Sequence, residues 1–279
     1  MTTIDEYAAG VTRVARMLAT GVGPREPILV LDHGYIQYIE HWGSDERIIE
    51  AARMSTGKGF LGWGPVCKKC GTHGEAPYCY NDEPHEPVPG DEKLLAYLYK
   101  NRHMTPFEMC GATLEVMAPI MVFREWHRHR TQSYNEMSAR YMPLPDVNYV
   151  PSIERLMMGG GHLTKQAGTA KDAEALTPDM ARMFQERIRS NYAQDEHDYQ
   201  AGLHSGVPKE LARLVVPVGR YSKMRASANL RNWMQFLSLR MESTAQWEIR
   251  QYANNACAIL RSHFPRTIAL FEESSHAQT

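Results

Sequence analysis

Apolar positions recur along the chain with two different periods, and the switches between them mark out its elements. Ile28 to Trp42 is dense in branched and aromatic residues and reads as a strand or hairpin. SDERIIEAAR follows with acidic residues in its first turn and apolar residues at helical spacing, so a helix comes after the strand. DEKLLAYLYKNR repeats that spacing as a second helix. Cys110 to Ala118 alternates as a strand, and Pro119 suits the first position of a helix through Met121, Val122, Phe123 and Trp126. Asp179 to Leu203 reads as a helix with charged outer positions, stopped at Gly206 and restarted after Pro208 as PKELARLVV. NLRNWMQFLSL is an apolar helix whose Trp233, Phe236, Leu237 and Leu239 belong to core or subunit interface. Ser243 with Gln246 three residues on predicts a capping box opening TAQWEIRQYANNACAILRSHF. Strands and helices without regular alternation favour an α+β fold with a helix-rich C-terminal half over a doubly wound sheet.

Two stretches break the pattern. Residues 1 to 26 read as a helical or loose lead-in. From Gly57 to Gly90 the composition turns to Gly, Pro, Cys and His, the mark of an insertion or elaborated loop, so the expectation is one domain over 1–279 with a Cys/His-rich insertion at about 60–92. Within it, Cys67-Lys-Lys-Cys70 has zinc-ligand spacing, and Cys79, His73 and His85 lie near enough in sequence to complete a Cys3His set. Two readings stay open there: a loop ordered by structural zinc through Cys67, Cys70, Cys79 and His85, or a metal-free surface loop with reduced thiols.

Charge narrows the function classes. Lys and Arg total 31 against 32 Asp and Glu, so there is no whole-molecule basic field for nucleic acid or an anionic membrane. An anionic ligand therefore has to be met by a local cluster. The longest apolar runs fall far short of a membrane span and MTTIDEYAAG lacks a signal-peptide core, which makes the cytoplasm the expected location. Five cysteines in 279 residues do not suggest a disulfide framework.

The densest polar stretch is Arg124 to Tyr141, REWHRHRTQSYNEMSARY. A single helical face cannot present Arg128, His129 and Arg130 together, but a helix end running into a loop can. Such a segment can wrap a phosphorylated ligand, with guanidinium forks on phosphate oxygens and the Ser138 hydroxyl completing the cradle. The plain alternative is a solvated helix end with local pairs such as Glu136 with Arg140. Ser138 has no base at an activating position in the local sequence, and four nearby arginines suit phosphate binding better than a nucleophile.

Arg128-His129-Arg130, seven residues and then Ser138, resembles the signature of the flavin-dependent thymidylate synthases, and Asn135-Glu136, Arg140 and Tyr141 extend the likeness. RMSTGKG around Ser55, HMTPFE from His103, PKELARLVVP around Arg213, NLRNWMQFLSLR and AQWEIRQYA resemble further blocks of that family in the same order. The resemblance implies a mixed, mainly antiparallel sheet packed with helices, a homotetramer with sites built from several subunits, and conversion of dUMP to dTMP. The methylene comes from 5,10-methylenetetrahydrofolate and the hydride from FAD reduced by NADPH, with tetrahydrofolate released. By the same resemblance Arg128, His129 and Arg130 hold FAD, with Ser55, Thr105, Glu136, Asn229, Arg231 and Gln235 as further flavin contacts. Glu136, Met137, Ser138, Ala139 and Arg140 form the loop around dUMP, joined by Glu125, Arg128 and Arg213. Arg240 resembles the arginine that favours ionisation of uracil N3, and His103 a stacking or gating residue. A fixed cation beside N3 and O4 stabilises the enolate-like anion, which agrees with that role.

Taken alone, His103 could cap the preceding helix and Arg240 could be an ordinary loop arginine. Glu125 stands where the resemblance leads one to expect an uncharged polar residue near dUMP, and Gln235 and Thr244 where a different polar residue is expected. Cys110 and Cys257 lie in apolar contexts typical of buried inert thiols, so no cysteine matches the nucleophile of the unrelated folate-only thymidylate synthases. The competing class is a nucleic-acid-binding module with RHR on phosphates and the insertion as a zinc knuckle; near-neutral charge argues against it. The expected partners are therefore small molecules and further copies of the chain, with no membrane and no nucleic acid.

Overall fold

A computed structural model of the chain describes residues 26–64, 66, 67, 69, 87, 88, 90–158 and 176–276. The lead-in up to residue 25 lies outside them, as do Cys70, His73, Cys79 and His85 of the insertion. The expected hairpin forms from β1 (Ile28–Val30) and β2 (Gly34–Trp42). Gly34 is required beside its turn, because a Cβ there would stand 2.1 Å from the Tyr252 hydroxyl. Helix α1 (Asp45–Arg53) follows, with a 3-10 turn over Met54–Thr56. At the base of the insertion β3 (Val66–Cys67) pairs with β4 (Pro87–Val88). Helix α2 (Glu92–Lys100) and a 3-10 turn over Thr105–Met109 then lead into β5 (Gly111–Pro119).

Pro119 ends β5 and flanks α3 (Ile120–Trp126), one place before the helical position expected for it, because it still pairs with Tyr221 in the sheet. Next come β6 (Ser133–Glu136), α4 (Ile153–Met157), α5 (Pro178–His204) and α6 (Lys209–Ala212), the last relaxing to a 3-10 turn at Arg213–Val215. The chain continues with β7 (Tyr221–Asn229), α7 (Leu230–Arg240), α8 (Trp247–His263) and α9 (Pro265–His276).

Among the described residues, the strands other than β3 and β4 form one five-stranded sheet in the order β1-β2-β5-β7-β6, antiparallel throughout. Its centre is the β5 and β7 pair, in register from Gly111↔Asn229 to Pro119↔Tyr221. The period of two puts Ile36, Leu114, Val116, Met224 and Ala226 on one buried face, against Trp233, Phe236, Leu237, Ile249, Tyr252 and Leu260 of α7 and α8. Trp126 stacks on Phe236 at 4.4 Å between ring centroids, which locks the end of α3 onto α7. Two fully buried aromatic side chains of this core have partners for their polar tips: Trp233 Nε1 donates to Ala112 O at 2.9 Å and the Tyr252 hydroxyl to Met117 O at 2.8 Å.

The capping box expected at Ser243 and Gln246 does not form. Helix α8 begins at Trp247 with no side-chain cap, and Gln246 instead donates to Glu248 at 3.0 Å. Glu248 is buried and bound by Arg155 at 2.8 Å and by the Tyr149 hydroxyl at 3.1 Å, so it draws the amide forward into its own network. Arg220 is also fully buried, between Glu196 of α5 at 2.6 Å and Asp146 at 3.3 Å, and its Nη1 donates to Pro145 O at 3.0 Å. That pairing moors the loop after β6 to α5 and to the start of β7.

Candidate active site

The segment Arg128 to Arg130 lies where the helix-end argument puts it. Helix α3 stops at Trp126 because Val122, Phe123 and Trp126 are buried and the chain must then turn back to enter β6. Backbone bonds from His129 to Trp126 at 3.0 Å and from Gln132 to His129 at 3.2 Å build that turn. The Tyr134 hydroxyl donates to His129 O at 2.7 Å, and Trp126 Nε1 to Gln132 Oε1 at 3.0 Å, so core residues hold its shape. The result sorts the motif by direction. His129 is buried, whereas Arg124, Arg128 and Arg130 are exposed, with neither an ion pair nor a side-chain hydrogen bond among the described residues. Three unpaired guanidinium groups on one short segment leave their N–H forks open to an anion.

Arg240 meets this turn from the end of α7. Its Nε donates to His129 Nε2 at 2.9 Å, its Nη1 to Glu125 Oε2 at 2.6 Å and its Nη2 to Glu125 O at 3.0 Å. Arginine nitrogens only donate, so His129 accepts through Nε2 and carries its proton on Nδ1. Burial first, then the Arg240 charge, brings the His129 pKa down to about 4, which keeps the imidazole neutral at physiological pH.

The loop expected to surround the nucleotide forms a second cluster. Met137 N donates to Lys223 O at 2.8 Å, which extends the β6 and β7 pairing by one residue, and Ala139 is buried. Ser138 Oγ accepts from Arg140 N at 3.3 Å and Ser138 O from Tyr141 N at 3.0 Å, so this serine shapes a turn. Arg140 lies 3.8 Å from Glu210 and does not pair with Glu136, while Glu136 stands 4.0 Å from His127 Nε2. Arg213 Nε donates to Glu210 O at 3.3 Å, and Lys209 Nζ to Tyr141 O at 2.9 Å. The structure thus brings Arg213 to the loop of Ser138 and Arg140. Lys209 and Glu210, which hold the two together, went unassigned in the sequence although they lie inside PKELARL.

The remaining positions gather near the other end of β5. Asn229 Oδ1 accepts from Asn232 N at 2.9 Å and so caps α7, while Asn232 Nδ2 donates to Thr131 O at 3.0 Å and ties that helix start to the arginine turn. Arg231 pairs with Glu108, a third residue left unassigned in the sequence, which fixes the Thr105–Met109 turn beside α7. Gln235 is exposed one helical turn after Arg231. His103 is exposed with its ring edge-on to Tyr97 at 5.7 Å, and its side chain caps no helix. Helix α1 packs against the Thr105–Met109 turn, and beyond its end the exposed Ser55 donates to Ala52 O at 3.4 Å. Of the zinc set only Cys67 is described. It is buried, and its sulfur accepts from Lys69 N at 3.4 Å. Among the described residues no group of three or more His, Cys, Asp or Glu could hold a metal ion.

Burial pushes the Cys110 and Cys257 thiols up to about 11, so neither is a thiolate at neutral pH. The geometry therefore offers exposed arginines and oriented donors, while Cys110 and Cys257 are not activated as nucleophiles.

Residues 37–266 match the family described as thymidylate synthase complementing protein. The flavin-dependent thymidylate synthase of Anaplasma marginale is 34% identical over 248 residues, covering 89% of this chain and 75% of its own length. That of Thermus thermophilus is 36% identical, covering 88% and 78%. Among solved structures, the UMP/dUMP methylase PolB from Streptomyces cacaoi, bound with 5-Br dUMP, superposes with a TM-score of 0.66 at 29% identity, covering 88% of this chain and 97% of that one. These comparisons lend no support to the nucleic-acid-binding alternative.

Proposed function

The chain belongs to the flavin-dependent thymidylate synthase family, and we propose on that premise that it methylates dUMP to dTMP. In this reading 5,10-methylenetetrahydrofolate donates the carbon, NADPH-reduced FAD supplies the hydride and tetrahydrofolate leaves. The observation that carries it is the pairing of three unpartnered arginines with an inward His129 and Arg240 contact on the same turn.

The residues present suit the flavin. Arg128 and Arg130 offer forks to its pyrophosphate, and Ser55, Thr105, Asn229, Arg231 and Gln235 offer polar groups from the neighbouring segments, with His129 and Glu136 beside them. When bound, FAD supplies the redox chemistry, which leaves orientation and electrostatics to the protein. Arg240 then donates N–H groups to the uracil edge and stabilises the anion that forms across N3 and O4. The turn of Glu136, Met137, Ser138, Ala139 and Arg140, with Arg213 beside it, surrounds the nucleotide, joined by Glu125 and Arg128. His103, exposed beside the flavin segment, stacks on or gates the ring systems.

We infer further that the chain acts as one catalytic domain in a homotetramer. Met180, Met183 and Phe184 line one stripe of α5, and Leu211, Leu214, Val215 and Val218 are exposed nearby in sequence. A stripe of that size left in water is the usual mark of a subunit contact. A cytoplasmic location suits the free thiols of Cys110 and Cys257. Structural zinc in the insertion remains a reading from the CxxC spacing. The test of the function is a visible spectrum of the protein loaded with FAD and desalted. Retained flavin that bleaches with NADPH and responds to dUMP is expected, whereas loss of all flavin from the intact oligomer would refute the reading.

A further inference from the structure

Arg240 is engaged before any substrate arrives. Of its five N–H groups, Nη1 and Nη2 donate to the carboxylate and main-chain oxygen of Glu125, at 2.6 and 3.0 Å, and Nε donates to His129 at 2.9 Å. Glu125 thus takes two of three contacts. It does so from the last turn of α3, next to the wholly buried Trp126, so the anchor is rigid. The Arg240 side chain is 14% exposed and that of Glu125 40%, which places the carboxylate toward the open side of the pair. An amide at position 125 could orient the guanidinium. Only a carboxylate also offsets its charge.

We propose that Glu125 is a positioning residue and standing counter-ion for Arg240, fixing the guanidinium against the uracil ring while moderating the field that the ring feels. The inference rests on the functional reading above, in which uracil lies against Arg240. An anion at uracil N3 then meets directed donors carrying little net charge. His129 adds none, being neutral, and the other charged groups of this segment, Arg124, Arg128 and Arg130, are exposed to solvent. Removing the carboxylate charge alone leaves the guanidinium bare and eases ionisation of the ring.

The test uses 5-bromo-dUMP, whose bromine acidifies N3–H so that its ionisation is read in the ultraviolet, bound to the flavin-loaded parent, E125Q and E125A. E125Q is expected to lower the N3 pKa of the bound ligand by about one unit, a tenfold change in ionisation constant. E125A, with no side-chain acceptor for Nη1, is expected to weaken ligand binding about tenfold, and E125Q to recover most of that loss. Equal N3 ionisation in the parent and E125Q overturns the proposal, as does E125A binding as tightly as E125Q. Failure of the parent itself to bind 5-bromo-dUMP overturns the functional reading and this inference with it, an outcome distinct from equal ionisation.

Discussion

Acid is expected to destabilise this fold through His129 by about 2 kcal/mol between pH 7 and pH 5. The imidazole is 8% exposed, and burial followed by the Arg240 charge lowers its pKa from the ordinary 6.5 to about 4. In the unfolded chain the ring takes up a proton as the pH falls through 6.5, whereas in the folded chain it resists until about 4. Throughout that window the unfolded state binds more protons. The stability contribution is therefore complete above 6.5 and is lost as the pH falls toward 4. Integrating between pH 7 and pH 5 with those two values gives the figure of about 2 kcal/mol, a little over half of the full difference at about 1.4 kcal/mol per unit. Urea denaturation of the parent and of His129→Gln at both pH values reads it, at one protein concentration and one flavin content. Glutamine offers Arg240 a carbonyl acceptor that does not titrate. His263, also lowered to about 4, is common to both proteins and cancels. Equal acid losses in the two proteins would show that His129 does not carry this acid sensitivity.

Other consequences can be checked separately. Arg128→Ala and Arg130→Ala each remove an unpaired guanidinium, so each is expected to weaken FAD retention about tenfold with little change in melting temperature, as read by flavin absorbance after gel filtration. Met183→Glu with Phe184→Glu places charge on the exposed stripe of α5 and is expected to yield smaller species by light scattering; an unchanged mass would separate that stripe from assembly. If the insertion holds structural zinc, Cys67→Ser is expected to lower the melting temperature more than the activity, whereas an unchanged melting temperature and a parent free of zinc by elemental analysis would remove the metal from the insertion.

Local pattern made much of the fold legible. The helices at Asp45–Arg53, Pro178–His204 and Leu230–Arg240 and the hairpin before them follow from period and end signals, because tertiary packing reinforced what those segments prefer. The start of α8 was not legible, because Gln246 is captured by Glu248, whose own environment is made by Arg155 and Tyr149 from distant parts of the chain. The site divides the same way. Arg128, His129 and Arg130 could be read as a helix end opening into a turn, but their split into exposed arginines and one buried neutral histidine depends on Tyr134, Gln132 and Arg240. The contact of Glu125 with Arg240 spans 115 residues of chain and has no local signature. Glu108 and Glu210 likewise act through partners, so their types alone marked them only as surface carboxylates.

Product analysis by mass spectrometry reads the methyl transfer itself. The protein is incubated with FAD, NADPH, dUMP and 5,10-methylenetetrahydrofolate labelled in its methylene carbon, in parallel with Arg240→Ala. Labelled dTMP together with tetrahydrofolate is expected from the parent, and almost none from the variant although it stays folded and retains flavin. Unmethylated dUMP from a parent that holds reduced flavin, or full dTMP formation by Arg240→Ala, would contradict that expectation.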